Sequence, residues 1–413
     1  MACALLALII ANSPLAAWYH HVFEVPFRIG FGALTLEKSL HHWINDGLMT
    51  LFFLLVGLEI KREVLVGELA DPRRAALPIV AAIGGMVVPA LLFYLINPQG
   101  PGARGWGVPM ATDIAFAVGV LVLLGERIPR SLILFLVALA IADDLGAILM
   151  IALFYTAELN VNALLAAVLL LGVLATFNLS GIRHPLPYFS VGVLLWLAVL
   201  TSGVHATLAG VLLAFMLPTR PKYDPLRFAA HVRQLAGQME AAGKQDPNVL
   251  TNEALRATLQ SLAKDARLVQ APSQRIEEGL HLSVALLVIP IFALANAGIP
   301  VDFSALGAAF QSNVTWGVIF GLVLGKFAGI SGAAWLALRS GIAELPHGTE
   351  LRHILGVAWL GGIGFTMSIF IAELAYVGQP HLLVYAKTGV LLASLLAGTF
   401  GYVWLRLTTQ RHA

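Results

Sequence analysis

Helix-length apolar runs dominate the chain. They fall at roughly 1–17, 43–65, 75–97, 105–125, 131–155, 160–180, 186–202, 205–218, 280–299, 314–338, 353–375 and 381–407. An apolar helix needs about 20 residues to cross a bilayer. The pattern therefore predicts an all-α polytopic membrane protein with about twelve transmembrane helices in one membrane domain over 1–413. The runs at 186–202 and 205–218 are short, as thinned, tilted or re-entrant elements are. The first run is also short and predicts a helix whose N-terminal part precedes this sequence. Its opening, "MACALLALIIANSPLAAWY", lacks the basic start of a signal peptide.

Two stretches break the pattern. Residues 220–278 are polar, and "DPLRFAAHVRQLAGQMEAAG" and "TNEALRATLQSLAKDARLV" are spaced as two amphipathic helices in one loop. The stretch "HVFEVPFRIGFGALTLEKSL" alternates apolar and polar residues around Gly30 and Gly32. It predicts a β-hairpin over 22–40, a candidate dimer contact.

Composition agrees with the membrane class. Charged residues make up 12% of the chain and hydrophobic residues 59%, against about 25% charged in a soluble domain. A net charge of +2 gives nucleic-acid binding no electrostatic basis. The single Cys3 excludes an intrachain disulfide framework and any cysteine-rich metal site.

The distribution of Lys and Arg sets an orientation. With the N-terminus inside, twenty fall in inner segments, including Lys61, Arg62, Arg73, Arg74, Arg127, Arg130 and Arg411. Three, Arg28, Lys38 and Arg104, fall outside, and Lys326 and Lys387 lie within apolar runs. This asymmetry predicts cytoplasmic termini and a cytoplasmic 220–278 loop.

A charge at the bilayer centre costs at least about 2.5–3.5 kcal/mol. Three runs carry one there. Asp143 and Asp144 stand at the midpoint of 131–155, Lys326 at the midpoint of 314–338, and Thr112 and Asp113 near the centre of 105–125. Neighbouring residues on a helix diverge by about 100°, so the two adjacent aspartates can face one cavity without superimposing. An ion pair between Lys326 and one aspartate could simply hold helices together. The other aspartate then remains, and it must keep a proton or bind a cation. That is the chemistry of a proton-coupled cation site.

Two runs are interrupted. Gly105, Gly107 and Pro109 precede Asp113, and Gly361, Gly362 and Gly364 sit at the middle of 353–375. Freed backbone groups are tolerated at membrane depth only beside a cavity or partner helix. Asp113 would offset facing positive helix ends, and a lysine facing negative ones. Close packing of small residues is the alternative. The interrupted runs are the second members of two triplets, 75–155 and 314–407, which an odd span count would invert relative to each other. Secondary transporters share this plan.

The motifs "WINDGLMTLFFLLVGLEIKREVLVGEL", "PMATDIAFAVGVLVLLG", "LVALAIADDLGAILMIALFYT", "SGVHATLAGV", "IFALANAG", "GLVLGKFAGI" and "GGIGFTMSIFIAELA" run in order over nearly the whole chain. They resemble the bacterial NhaA-type sodium/proton antiporters, a family that itself exemplifies the inverted-repeat plan. The resemblance implies two interrupted helices crossing at the midplane. It implies electrogenic, pH-regulated export of sodium or lithium driven by proton entry, with no cofactor, by a homodimer in the inner membrane. Asp144 resembles the principal cation ligand, and Asp143 the carboxylate paired with Lys326 and used in proton exchange. Thr112 and Asp113 resemble residues of the crossing, and Asp46 an acidic residue of the cation path. Glu59, Arg62, Glu63, Glu277 and His281 resemble a cytoplasmic pH-response cluster, and His205 a histidine linked to pH response. Glu278 stands where the family pattern has a histidine, and the 220–278 loop is longer than in familiar members.

Two other classes compete. An intramembrane aspartyl protease needs two carboxyls facing each other from different helices, which Asp113 and Asp144 could supply but adjacent aspartates cannot. A channel would favour a continuous polar lining, whereas these polar residues gather at one depth.

Overall fold

A computed structural model describes residues 2–31, 34–156, 159–220, 225–300 and 303–409. Gly32 and Arg411, used above for the hairpin and the charge count, lie outside the described residues.

Among the described residues, six helices are long and apolar enough to cross a membrane: Pro72–Ile96, Arg130–Phe154, Val161–Leu179, Pro272–Asn296, Asn313–Arg339 and Pro380–Thr408. Three bent pairs bring the total to as many as nine. Ala2–Ala11 and Ala16–Glu24 meet at 112°, Pro101–Met110 and Ile114–Val122 at 41°, and Leu351–Leu360 and Phe365–Ala375 at 47°. Helices Met49–Val66, Pro185–Thr201 and Leu208–Met216 are also apolar but are shorter or carry charges.

Several bounds differ from those read off the sequence. The run at 280–299 begins at Pro272, because its first turns, "PSQRIEEGLHLS", are amphipathic and hide the helix from a hydropathy reading. Residues 101–110 form a tight 3-10 helix rather than an α-helix, as their glycines and Pro109 favour. The hairpin strands are Pro26–Phe31 and Leu34–Ser39, antiparallel, with Pro26 opposite Ser39 and Arg28 opposite Glu37. Residues 22–24, expected in the hairpin, belong to helix Ala16–Glu24. Arg28 donates to Glu37 across the strands at 2.6 Å. The polar loop contains the amphipathic helices Pro225–Gln245 and Glu253–Val269. In the turn between them, hydrogen bonds from the Thr251 hydroxyl and the Asn248 N–H hold the Asp246 carboxyl below its ordinary range.

The helices gather into two bundles. One contains 72–154 and 313–408 and has its own core, including Leu77, Leu121, Leu136, Ile330, Val357 and Leu405. The second contains 43–66, 161–217 and 272–296, with Leu54, Leu174, Tyr188, Leu195 and Leu213 at its centre. Tyr19 ties the first bent pair to this second bundle by donating to the Leu294 carbonyl at 2.5 Å. A third apolar cluster joins the two bundles. There the Phe370 ring meets Phe53 at 5.4 Å, His205 at 5.5 Å and Phe292 at 6.2 Å between centroids. Large apolar side chains such as Leu169 and Leu153 point outward, as they do toward lipid rather than water.

Within the first bundle, helices Pro72–Ile96 and Asn313–Arg339 approach at glycines. A Cβ on Gly84 would lie 2.3 Å from the Gly329 carbonyl oxygen, and one on Gly329 2.2 Å from that of Gly84. Gly325 abuts Pro89 in the same way. Small residues let helix backbones meet, and here they do so one turn from Lys326.

Candidate functional site

The centre of the first bundle is built on the two interruptions. After Met110 the chain runs extended through Ala111–Asp113 before helix Ile114–Val122 begins. The other helix breaks between Leu360 and Phe365. Each break supplies what the other lacks. The Asp113 N–H donates to the Ile363 carbonyl at 2.7 Å, and the Thr112 hydroxyl donates to the Gly361 carbonyl at 2.8 Å. The Asp113 carboxylate caps both following half-helices. One oxygen accepts from the Phe116 N–H at 3.2 Å, and the other from the Thr366 N–H at 3.0 Å and from the Thr366 hydroxyl. An anion at two helix N-termini is in favourable potential.

Lys326 follows a wide, π-helical turn, Gly321–Gly325, a distortion common at functional sites. Its ammonium forms an ion pair with Asp143 Oδ2 and donates to Thr112 Oγ1 at 3.0 Å. Lys326 and Asp143 are both 0% exposed. Asp144 is 1% exposed, and its Oδ1 is buried with no hydrogen-bond partner. Asp143, Glu59, Asp113 and Lys326 act on it electrostatically. A buried carboxylate oxygen without a donor is costly, and a proton or a bound cation would relieve it. Asp143, Asp144, Lys326, Thr112 and Asp113 thus share one buried neighbourhood.

Asp46 stands apart. It lies in the wide turn Trp43–Leu48, and its carbonyl accepts from Thr50 Oγ1 at 2.5 Å and from Trp196 Nε1 at 3.1 Å. It lines a small cleft with Lys38, His42 and Trp196. Its electrostatic neighbours are His42, Lys38 and His41, not the central carboxylates.

The other expected residues gather at the far end of the second bundle. Arg62 pairs with Glu277 at 2.8 Å and Glu63 at 3.2 Å, and His281 lies 3.9 Å from Glu59. These contacts link helix Met49–Val66 to Pro272–Asn296. Beside them Lys61 donates to the Phe215 and Leu217 carbonyls at 2.7 and 2.5 Å, a cation at the open C-terminal end of helix Leu208–Met216. His205 is separate from the cluster. It lies 3.1 Å from Thr207 Oγ1 through Nδ1 and packs edge-on against Phe370.

A family model described as Na+/H+ antiporter 1 matches residues 1–405. The chain belongs to the Na+/H+ antiporter 1 family. Members of that family similar to this chain include the Na(+)/H(+) antiporter NhaA 1 of Saccharophagus degradans, 53% identical over 98% of this chain and 87% of that protein. The Na(+)/H(+) antiporter NhaA of Sulfurimonas denitrificans is 52% identical over 99% and 92%, respectively. That of Acidithiobacillus ferrooxidans is 51% identical over 98% and 93%.

Sequence reasoning overlooked Thr366, although it follows the glycine break by two residues and stands where a half-helix needs a cap. It also left Lys387 unassigned. Lys387 pairs with Glu373 at 2.5 Å, both nearly buried. The two stand in consecutive apolar runs on either side of the 376–379 connection.

Proposed function

We propose that this chain exchanges sodium or lithium for protons across the bacterial inner membrane. Asp144 is the cation ligand in this reading. The observation that carries it is Asp144 itself: a buried carboxylate with an unpartnered oxygen, beside an aspartate whose charge Lys326 already offsets. Membership of the Na+/H+ antiporter 1 family supports the same reading. Asp113 supports it against a shared-proton protease, since its carboxylate is occupied by three donors from two helices.

The mechanism is competition for one site. Facing the cytoplasm, Asp144 releases its proton and takes sodium, a hard cation suited to carboxylate and carbonyl oxygens. The two bundles then shift against each other. On the outer side protons displace the ion, and the protonated form returns. Cation and protons exclude each other from the site, so the proton gradient drives export. When its pair with Lys326 opens, Asp143 takes a proton from the outer side and later releases it to the cytoplasm, in addition to the one Asp144 carries. More protons therefore enter than sodium ions leave, and the cycle is electrogenic.

The finer architecture belongs to the same proposal. Nine apolar spans, together with the charged Met49–Val66 and the shorter Pro185–Thr201 and Leu208–Met216, make twelve crossings with both termini cytoplasmic. The triplets 75–155 and 314–407 are inverted repeats, and their interrupted helices cross at Thr112 and Asp113. Asp46 lines the cation path. Glu59, Arg62, Glu63, Glu277, His281 and His205 set the pH response. The strands within 22–40 join two copies into a dimer.

Everted vesicles containing the protein test this. Added sodium should dissipate a preset pH gradient, and Asp144→Asn should abolish the response at equal expression. A mutant that exchanges as fast as the parent would remove the central claim. Parallel additions of lithium and potassium define the substrate.

A further inference from the structure

Phe370 and Glu373 lie three residues apart on helix Phe365–Ala375, so they share a face. Phe370 packs against Phe53 and Phe292 of the second bundle. Glu373 meets the same bundle through a polar contact. Its carboxylate lies 3.6 Å from His41 Nε2, at the start of the second span. Phe292 and Asn296 repeat the arrangement from the other side, four residues apart on one helix. Phe292 faces Phe370, and Asn296 Oδ1 lies 3.0 Å from the same His41 Nε2. One imidazole nitrogen thus stands between a carboxylate of one bundle and an amide of the other.

Both ends are anchored within their own bundle. Lys387, from helix Pro380–Thr408, holds Glu373 at 2.5 Å. Asn296 is 1% exposed and donates to Asn45 Oδ1 at 2.9 Å and to the Phe292 carbonyl at 3.1 Å. Two anchored polar groups therefore flank one imidazole nitrogen, which lies within hydrogen-bond reach of Asn296 at 3.0 Å and 3.6 Å from the Glu373 carboxylate. Sliding the bundles past each other separates Glu373 from His41 while leaving the Glu373–Lys387 and Asn45–Asn296 pairs intact. Burial makes a broken polar contact here costly, which suits a contact made in one state and surrendered in the other.

We propose that His41 and Glu373 form a latch between the two bundles. The latch holds the outer side of the exchanger closed and must open for the central site to reach that side. Lys387 and Asn296 act as positioning residues for its two halves. This inference rests on the exchanger reading for its consequence, and on the geometry alone for the contact.

The test uses full-length protein with Cys3→Ser, His41→Cys and Glu373→Cys, bridged by a reducible thiol cross-linker. Cross-linking should cut sodium-driven dissipation of the pH gradient at least tenfold, and reduction should restore the uncross-linked rate. A fully cross-linked protein, verified by mass, that exchanges within twofold of its reduced form overturns the latch. A parent chain that shows no response to sodium overturns the exchanger reading instead. Hydrogen exchange judges the contact independently of transport. His41→Ala should speed exchange severalfold in 365–376, and His41→Gln, which keeps an N–H donor, should return it toward the parent. Equal exchange in all three proteins overturns the contact as a restraint.

Discussion

Lys326 and Asp143 form an ion pair between two fully buried side chains contributed by different helices. The pair is a liability if either member is lost. Removing one partner of a buried pair costs about 3–5 kcal/mol, whereas replacing both can be nearly neutral. Lys326→Met should therefore lower stability in detergent by about that amount. The double variant Lys326→Met with Asp143→Asn should recover more than half of the loss. Thermal unfolding of the three proteins measures this. Additive losses would mean that the pair contributes nothing as a pair.

Asp144 differs in its structural consequence. Asp143 and Asp144 each bury an Oδ1 without a hydrogen-bond partner, but of the two only Asp143 is held in an ion pair. Neutralising Asp144 therefore removes an unfavourable burial and leaves no charged partner stranded. Asp144→Asn should unfold at the parent temperature or above while losing exchange. A large fall in unfolding temperature would indicate a structural role instead.

Much of this site is legible in the sequence, for a physical reason. Hydropathy locates the spans, and span midpoints bring Asp143, Asp144 and Lys326 to one depth. Helix breaks announce themselves through Gly361, Gly362, Gly364 and Pro109. Contacts that depend on helix rotation are less visible. Thr366 is an ordinary residue until the break turns its hydroxyl onto Asp113. Glu373 and Lys387 lie near a loop, where charges usually meet water, and only the packing of two helices buries them. Pro14 marks a break after Ala11, but not the 112° angle at which the two helices meet. Pro272 is hidden by the polar turns that follow it.

Close approach at Gly84 and Gly329 gives a prediction about packing. A methyl group added to either would meet a backbone carbonyl, which cannot swing aside as a side chain can. Gly329→Ala should destabilise by about 1–3 kcal/mol, the usual cost of overpacking. Gly332→Ala is the control, because a Cβ there meets nothing within 4 Å. Unfolding curves should separate the two. If both behave alike, the approach of the two helices is looser than these contacts require.

The two helix breaks predict a local effect. Thr366 gives Asp113 both a backbone N–H and a hydroxyl. Thr366→Val keeps the shape and removes only the hydroxyl, which should cost about 1–3 kcal/mol as a lost partner of a buried charged group. Hydrogen exchange should rise at 361–368 and 111–116 together, because each break is completed by the other. A rise confined to one segment would mean that the breaks are stabilised separately.

Binding of the transported ion can be read without transport. A ligand that binds only the folded state stabilises it by about 2.7 kcal/mol at one hundred times its dissociation constant. Sodium should therefore raise the unfolding temperature of the detergent-solubilised parent in a concentration-dependent way, whereas choline at equal ionic strength should not. The increment should shrink as the solution is acidified, because protons and sodium compete for the same carboxylates and protonated Asp144 offers the ion no charge. Asp144→Asn should show no sodium increment at any pH. A mutant stabilised by sodium as strongly as the parent would place the ion elsewhere in the protein.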